Sequence, residues 1–580
     1  MTAFSHLPPG SVTLRGELGK ATRLVARNRL ELVDYGFLAS VFRDHLDADG
    51  FWRGEFWGKT IRSAIRAWEA DPSDHLRDVI DGGVAALLAA QGADGSLSSS
   101  PPDLQPFGNW DVWGRKYALL GLVRYYESIR QAPEVKDALA RALDHTISQL
   151  GPGAPWRIGE VGSHGGLAAG SILGAVVKVY RITGERRFLD FAKFIVEDGA
   201  AETFREVRSG KPPHQIVNGK AYEMTSCAEG LLELSRETGD AAMLADVARY
   251  YRSVRDGEIF ITGGGGLKDA VGEYWDEGAR KQTCTDGTAG GFGETCVAVT
   301  WIRFALNLLR ETADASMADE IERTLYNALL GSMTSTGVSF AHNNPSPLAG
   351  WSSRAPAGTQ IRGFGDFDCC LAQGPEGLAT AARFAALRGG DGALAVNLYE
   401  PAEILLAGGA SLSISGHYPY GPGTSLTFHA PSPVRQALLL RIPGWSARTA
   451  CRLNGEPFGA PAPASYLRVD REWRDGDCVE LDFDYTPRIV HDPAGDGYVA
   501  FVKGPILFAR DRDWNLFRYW KPEKDFDDPI PRDGVIQEEV DVPSAIARQM
   551  IRLSDGTLLV DYASAGSRFT GLCALRVWLR

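Results

Sequence analysis

Residues 180–196 read YRITGERRFLDFAKFIV. Apolar residues recur at three- and four-residue spacing before Gly184 and again after it, and Gly184 fits the residue just past a helix end. A second helix starts at once. The signature returns as SRETGDAAMLADVARYY at 235–251 and LRETADASMADEIERTLYN at 309–327, and more loosely as YESIRQAPEVKDALARALDH at 126–145. Each reads as a helix, a short turn and a second helix opening on small and acidic residues, with Gly239 in the place of Gly184. The irregular intervals exclude a simple solenoid. Residues from about 20 to 385 are therefore expected to form a large closed array of helical hairpins, with loops free to carry function.

After about residue 388 the texture changes. ALAVNLYEPAEILL, SLSISGHYP, RQALLLRIPGW and YVAFVKGPILFARD are short, apolar, partly alternating runs separated by Gly, Pro and Asp, which is β patterning. The expected division is a helical domain over 1–388, a β-sandwich over 389–487 and a C-terminal β-rich domain over 488–580.

The 580 residues are 44% hydrophobic and 23% charged, the composition of a globular protein, with net charge −12. That balance disfavours nucleic acid and anionic membrane as partners, since both want basic patches. No run of 18 apolar residues suggests a membrane span, and the N-terminus lacks a signal-peptide pattern. Eight cysteines are too few for a disulfide scaffold. A reducing, cytoplasmic setting is expected, with thiols available as ligands or nucleophiles.

Two of those cysteines are adjacent, in FGDFDCCLAQGP at 364–375. A vicinal disulfide is geometrically awkward, so Cys369 and Cys370 need a packing reason or a chemical one. GGFGETC at 290–296 adds Glu294 and Cys296 in a Gly-rich loop or helix start. Three thiols and one carboxylate would favour zinc over magnesium or calcium. Spacing alone leaves zinc and ordinary packing both open.

Between 268 and 287, Glu273, Tyr274, Trp275, Asp276 and Glu277 set aromatic rings beside acids, which suits a sugar site and equally a solvated loop. GNWDVWGRKY at 108–117 reads as a cleft wall or as a helix start with packed tryptophans. ITGGGG at 261–266 lacks the following helix pattern of a dinucleotide site, and neither a P-loop nor a G-x-S-x-G elbow is present. His164, His214 and His342 fall in polar loops, where a hydrogen-bonded structural histidine is the commoner role.

In order, GGFGETC, MADEIERTLYNALL (317–330), HNNP (342–345), the cysteine pair, VNLYEPAE (396–403), LLLRIPGW (438–445), REWRDGDCVELDF (471–483) and KGPILFARD (503–511) make the chain resemble the beta-L-arabinofuranosidases of glycoside hydrolase family 127. The resemblance covers most of the chain. It implies an (α/α)6 barrel followed by β-sandwich domains. It also implies one zinc ion on Glu294, Cys296, Cys369 and Cys370, with Cys369 as nucleophile. GEYW at 272–275 best matches the family's acid/base element and points to Glu273, with Glu277 as the alternative.

The sugar-binding wall departs from the family. Tyr117 stands near one expected histidine, AAGSILGAV at 168–176 lacks another, and Lys220 replaces a third. Trp113, Arg115, Tyr117, His214, Lys220, Tyr274 and His342 are the candidate substrate contacts. Arg115 and Lys220 raise the prospect of a non-arabinose or acidic sugar. The expected function is a retaining exo-glycosidase acting on an oligosaccharide or glycoside. Two rivals are a polysaccharide lyase or sugar epimerase on the same barrel, and a non-catalytic carbohydrate-binding protein with structural zinc. The β-domains would brace the barrel or pair two copies into a homodimer.

Overall fold

The computed structural model describes residues 4–266, 272–276, 293–342, 367–493, 495, 497–511, 529–530, 536–542, 547–566 and 575–580. Glu277 and the Asn343–Pro345 part of HNNP lie outside the described residues, as does most of the stretch from about 515 to 535.

The first part is mainly α. Six helices touch one another in cyclic order: α1 (Gly54–Ala70), α2 (Asp111–Ser128), α3 (Leu173–Thr183), α4 (Ala221–Thr238), α5 (Thr295–Thr312) and α6 (Cys369–Ala385), with α6 back against α1. The ring helices are buried nearly all round, and in α1 only Trp68 is not fully buried. Its charged residues Glu55, Lys59, Arg62, Arg66 and Glu69 are buried too, held in ion pairs. Small residues allow the close approach: a Cβ on Gly58 of α1 would lie 2.1 Å from the Tyr117 carbonyl oxygen of α2.

Outer helices pack behind the ring. Asp74–Ala90, Pro133–Leu150, Arg186–Phe194, Ala241–Gly257 and Ala315–Thr324 follow α1 to α5 and pack on them, while Glu17–Asn28 packs on α6. The repeated turns form as the sequence predicts. Gly184 and Gly239 end α3 and α4 at φ 73° and 69°, and Ala313 takes the same left-handed role after α5 at φ 54°. Asp240 and Asp314 then cap the next helices through side-chain bonds to Met243 N and Ser316 N.

The rest is β. A five-stranded and a seven-stranded sheet span roughly 386–483, and each takes one edge strand from the N-terminus: Phe4–His6 pairs with Ala386–Gly389, and Val12–Leu14 with Ala402–Leu405. The sequence reading grouped those first residues with the helices; their backbone hydrogen bonds join them to the sheets. A third sheet from Arg488 onward has its own apolar core.

Buried polar staples tie sheets to helices. Glu400 accepts from Leu18 N (3.2 Å) and Gly19 N (3.1 Å), capping the first helix. Arg441 pairs with Glu322 at 2.5 Å, and Asn327 bonds Pro505 O and Leu507 N. No helix among the described residues is long and apolar enough to cross a membrane.

Candidate active site

The starts of α1, α2, α4, α5 and α6 meet at one mouth of the ring. Cys369 and Cys370 are the first two residues of α6, where glycines and acids in the sequence suggest a turn. Asp368 caps that helix, accepting from Leu371 N at 2.7 Å. Unpaired backbone N–H groups at a helix start favour a thiolate. Glu294 is the N-cap of α5, with Cys296 in its first turn, which bears out the expected helix start. The next residue, Thr295, is tied to His342 O (2.9 Å) and Ala341 O (2.6 Å), so residues 341–342 are fastened across the α5 terminus.

Four donors close into one group. Glu294 Oε1 lies 3.3 Å from Cys369 Sγ and 3.7 Å from Cys370 Sγ, and the two sulfurs are 3.8 Å apart. His342 Nδ1 lies 3.9 Å and 3.6 Å from the same sulfurs. All four ligand atoms fall within 4.8 Å of one another, a set able to hold a metal ion. Cys296, fully buried, interacts with both thiols and lies 3.9 Å from Lys59 Nζ.

Glu273 is held beside this group. Its loop pairs with the segment entering α4: Ala221 N donates to Glu273 O at 3.0 Å and Trp275 N to Gly219 O at 2.8 Å. One carboxylate oxygen faces His342 Nε2 at 3.3 Å, and the other takes the Lys220 ammonium. A single imidazole therefore stands between Glu273 and the thiol pair.

The charges are mutually dependent. Contacts with Cys296, Cys370 and His342 hold the Cys369 thiol well below the ordinary range, against its burial. Burial raises Cys296 and Cys370. Burial would lower His342, yet Cys369 and Glu273 push it up to about 12. Burial would raise Glu273, yet His342 and Lys220 hold it down. Burial and the Cys369 charge raise Glu294. Of the three clustered thiols, Cys369 is the one whose surroundings favour the thiolate.

The predicted sugar wall is brought together in part. Trp113 and Tyr117 are buried below the cluster; Tyr117 OH meets Tyr222 OH, which donates to Gln373 at 2.7 Å. Tyr274 stacks its ring under the Lys220 ammonium (5.0 Å) and meets His164 edge-on. His214 is placed one step away, bound to Glu258 at 2.7 Å. Arg115 is turned into a buried ion pair with Asp111 (2.6 Å). Sequence reasoning missed Glu55 and Lys59, a buried pair at 3.0 Å; Glu55 also accepts from Trp113 Nε1. Their signal was an acid and a lysine four apart on a helix otherwise suited to a core.

A family model described as the beta-L-arabinofuranosidase GH127 catalytic domain matches residues 30–383, and the GH127 middle domain matches 393–485. The chain belongs to this family. It is a glycoside hydrolase, with the Glu/His/Cys/Cys cluster in its catalytic domain. A relative, the non-reducing end beta-L-arabinofuranosidase of Bifidobacterium longum subsp. longum, is 21% identical over 518 residues, 80% of this chain and 76% of that protein. Among solved structures, a GH127 beta-arabinofuranosidase superposes with TM-score 0.78 at 21% identity, over 100% of this chain and 98% of the other. A GH127 beta-L-arabinofuranosidase from Geobacillus stearothermophilus T6 gives 0.76 at 19% identity, over 98% and 99%.

Proposed function

We propose that this chain is a retaining exo-glycosidase of the beta-L-arabinofuranosidase type, built on an (α/α)6 barrel whose inner circle is α1 to α6. The observation that carries the reading is the partly accessible Cys369 thiol at a helix start, with Glu273 across one imidazole from it. Glu273, taking the proton that His342 carries 3.3 Å away, passes it to the leaving oxygen as Cys369 Sγ attacks the anomeric carbon and the glycosidic bond breaks. The same carboxylate then takes a proton from water, which displaces the thiolate and releases the sugar. His342 and Lys220 aim the two oxygens of Glu273.

The donor set fits a zinc ion. Tetrahedral ligands at ordinary zinc bond lengths lie about 3.3–3.8 Å apart, and Glu294, Cys369 and Cys370 stand 3.3, 3.7 and 3.8 Å from one another. Glu294, Cys369 and Cys370 would hold the ion, with Cys296 as fourth ligand by the family motif and His342 linking the group to Glu273. Bound zinc would keep the thiols deprotonated and fix their direction. Zinc content separates the two fourth positions: Cys296→Ser should lose the metal and His342→Ala should keep it.

A neutral terminal furanoside is the substrate this site suits. Both cations that suggested an acidic sugar are already paired, Arg115 with Asp111 and Lys220 with Glu273. A screen of aryl and alkyl furanosides and pyranosides, neutral and carboxylated, tests the proposal on wild type, Glu273→Ala and Cys369→Ser. Glu273→Ala should lose about 10²–10⁴-fold on alkyl glycosides, less on aryl substrates with good leaving groups, and keep its zinc. Activity surviving in Cys369→Ser would sink the reading and favour a lyase or epimerase; a preference for carboxylated glycosides would overturn the substrate class.

A further inference from the structure

The far end of the helix ring is as polar as the catalytic end. The C-terminal halves of α1 to α6 surround a cavity of about 590 Å³, within the range of small-molecule sites. Ten lysine and arginine side chains line it against five glutamates, in a chain whose net charge is −12. Lysines and arginines near helix C-termini complement the helix dipole, but that effect needs no inward convergence from all six helices.

Several of these cations are committed to carboxylates. Arg62 pairs with Glu376 (2.7 Å), Arg66 with Glu69 (2.5 Å), Arg303 with Glu229 (2.6 Å) and Arg236 with Glu311 (2.6 Å). Donor capacity nevertheless remains, even on some of the paired groups. Arg124 has no hydrogen bond or ion pair among the described residues. Arg66 Nε and Arg62 Nη1 are buried without a hydrogen-bond partner, on residues only 5% and 4% exposed, and Arg310 Nε is likewise unbonded. Burial and mutual repulsion hold the Arg66, Arg124 and Arg383 guanidinium groups below their usual range, and bring Arg310 to about 10. Like charges gathered around a cavity cost stability unless an anion within it offsets them.

We propose that this cavity is a binding site for a phosphate group, free or carried on a small molecule, held by Arg66, Arg124 and Arg310. Guanidinium forks match the oxygens of phosphate and give charge-assisted hydrogen bonds to them. The rim carries the exposed Arg181 and Glu127 and the partly exposed Glu237, so the site opens away from the catalytic mouth. It is separate from the thiol cluster, and its test does not depend on the glycosidase reading.

The test is calorimetric titration and thermal unfolding of the zinc-loaded protein with inorganic phosphate and with glucose 6-phosphate. Chloride at matched ionic strength and plain glucose serve as controls. Wild type should bind phosphate saturably and unfold at higher temperature with it. Arg124→Gln and Arg310→Gln should each weaken binding at least about tenfold. Because Arg124→Gln removes a repelled, unpaired charge, it should fold as well as wild type in phosphate-free buffer and keep its glycosidase activity. Tighter binding of glucose 6-phosphate than of phosphate would assign the site to a phosphorylated sugar; equal or weaker binding would assign it to phosphate itself. No saturable binding in wild type, or binding unchanged in both variants, would overturn the proposal.

Discussion

Cys369 is half-buried at the first position of α6, whereas Cys370 is sealed. One helical step of about 100° separates their side chains, enough to turn one toward the mouth of the ring and the other into its wall. Alkylation of metal-free protein with iodoacetamide should therefore mark Cys369 first, with Cys370, Cys296 and Cys227 lagging; peptide mass spectrometry reads the order. Equal labelling of the twins would remove the structural ground for choosing Cys369 as nucleophile. The sequence supplied the cysteines and the glutamates but could not supply this difference in access. It also missed Glu55 and Lys59, because a buried ion pair on a core helix looks like surface charge until the helix is placed.

At the scale of the element, α1 shows how the ring helices tolerate charge. Glu69 is fully buried, bonded to Arg66 at 2.5 Å and to Ser128, with Arg383 at 3.7 Å. Burial would raise its carboxyl, but the arginines hold it to about 2. The folded value lies below the unfolded carboxylate value of about 4.3, so the stabilisation is complete above that pH and fades as pH falls toward about 2. Glu69→Gln should cost about 3–5 kcal/mol at neutral pH, since it strands a buried guanidinium. In urea titrations the gap from wild type should narrow through that acid window; a constant gap would mean that the charge of Glu69 is not what stabilises. The helices themselves were legible, because three- and four-residue apolar spacing and the glycines at 184 and 239 act locally.

For the whole molecule, the motifs outside the site turn out to be joints. In MADEIERTLYNALL, Glu322 meets Arg441 and Trp445 of LLLRIPGW, Tyr326 meets Glu400 of VNLYEPAE, and Asn327 meets Leu507 of KGPILFARD, all across the helix–sheet boundary. Arg441 is completely buried, and Arg441→Ala would leave Glu322 without its ionic partner. The expected cost is about 3–5 kcal/mol, with faster proteolysis at the boundary near residue 386 and sheets that unfold before the helices. A single, unshifted unfolding transition would show that the joint contributes little.

The sequence by itself determined the helix-then-strand order, the helical hairpins, the family, and three of the four clustered donors, Glu294, Cys369 and Cys370. These rest on local periodicity and on motifs, which need no knowledge of distant contacts. Only the tertiary structure decided that the N-terminal strands complete the sheets, that His342 stands between Glu273 and the thiols, and that Arg115 and Lys220 are already paired. It alone brought cations from six separate helices around one cavity. Those facts depend on ring closure, which sets residues hundreds of positions apart within a few ångströms. Side-chain spacing along one helix carries no record of which neighbour will face it.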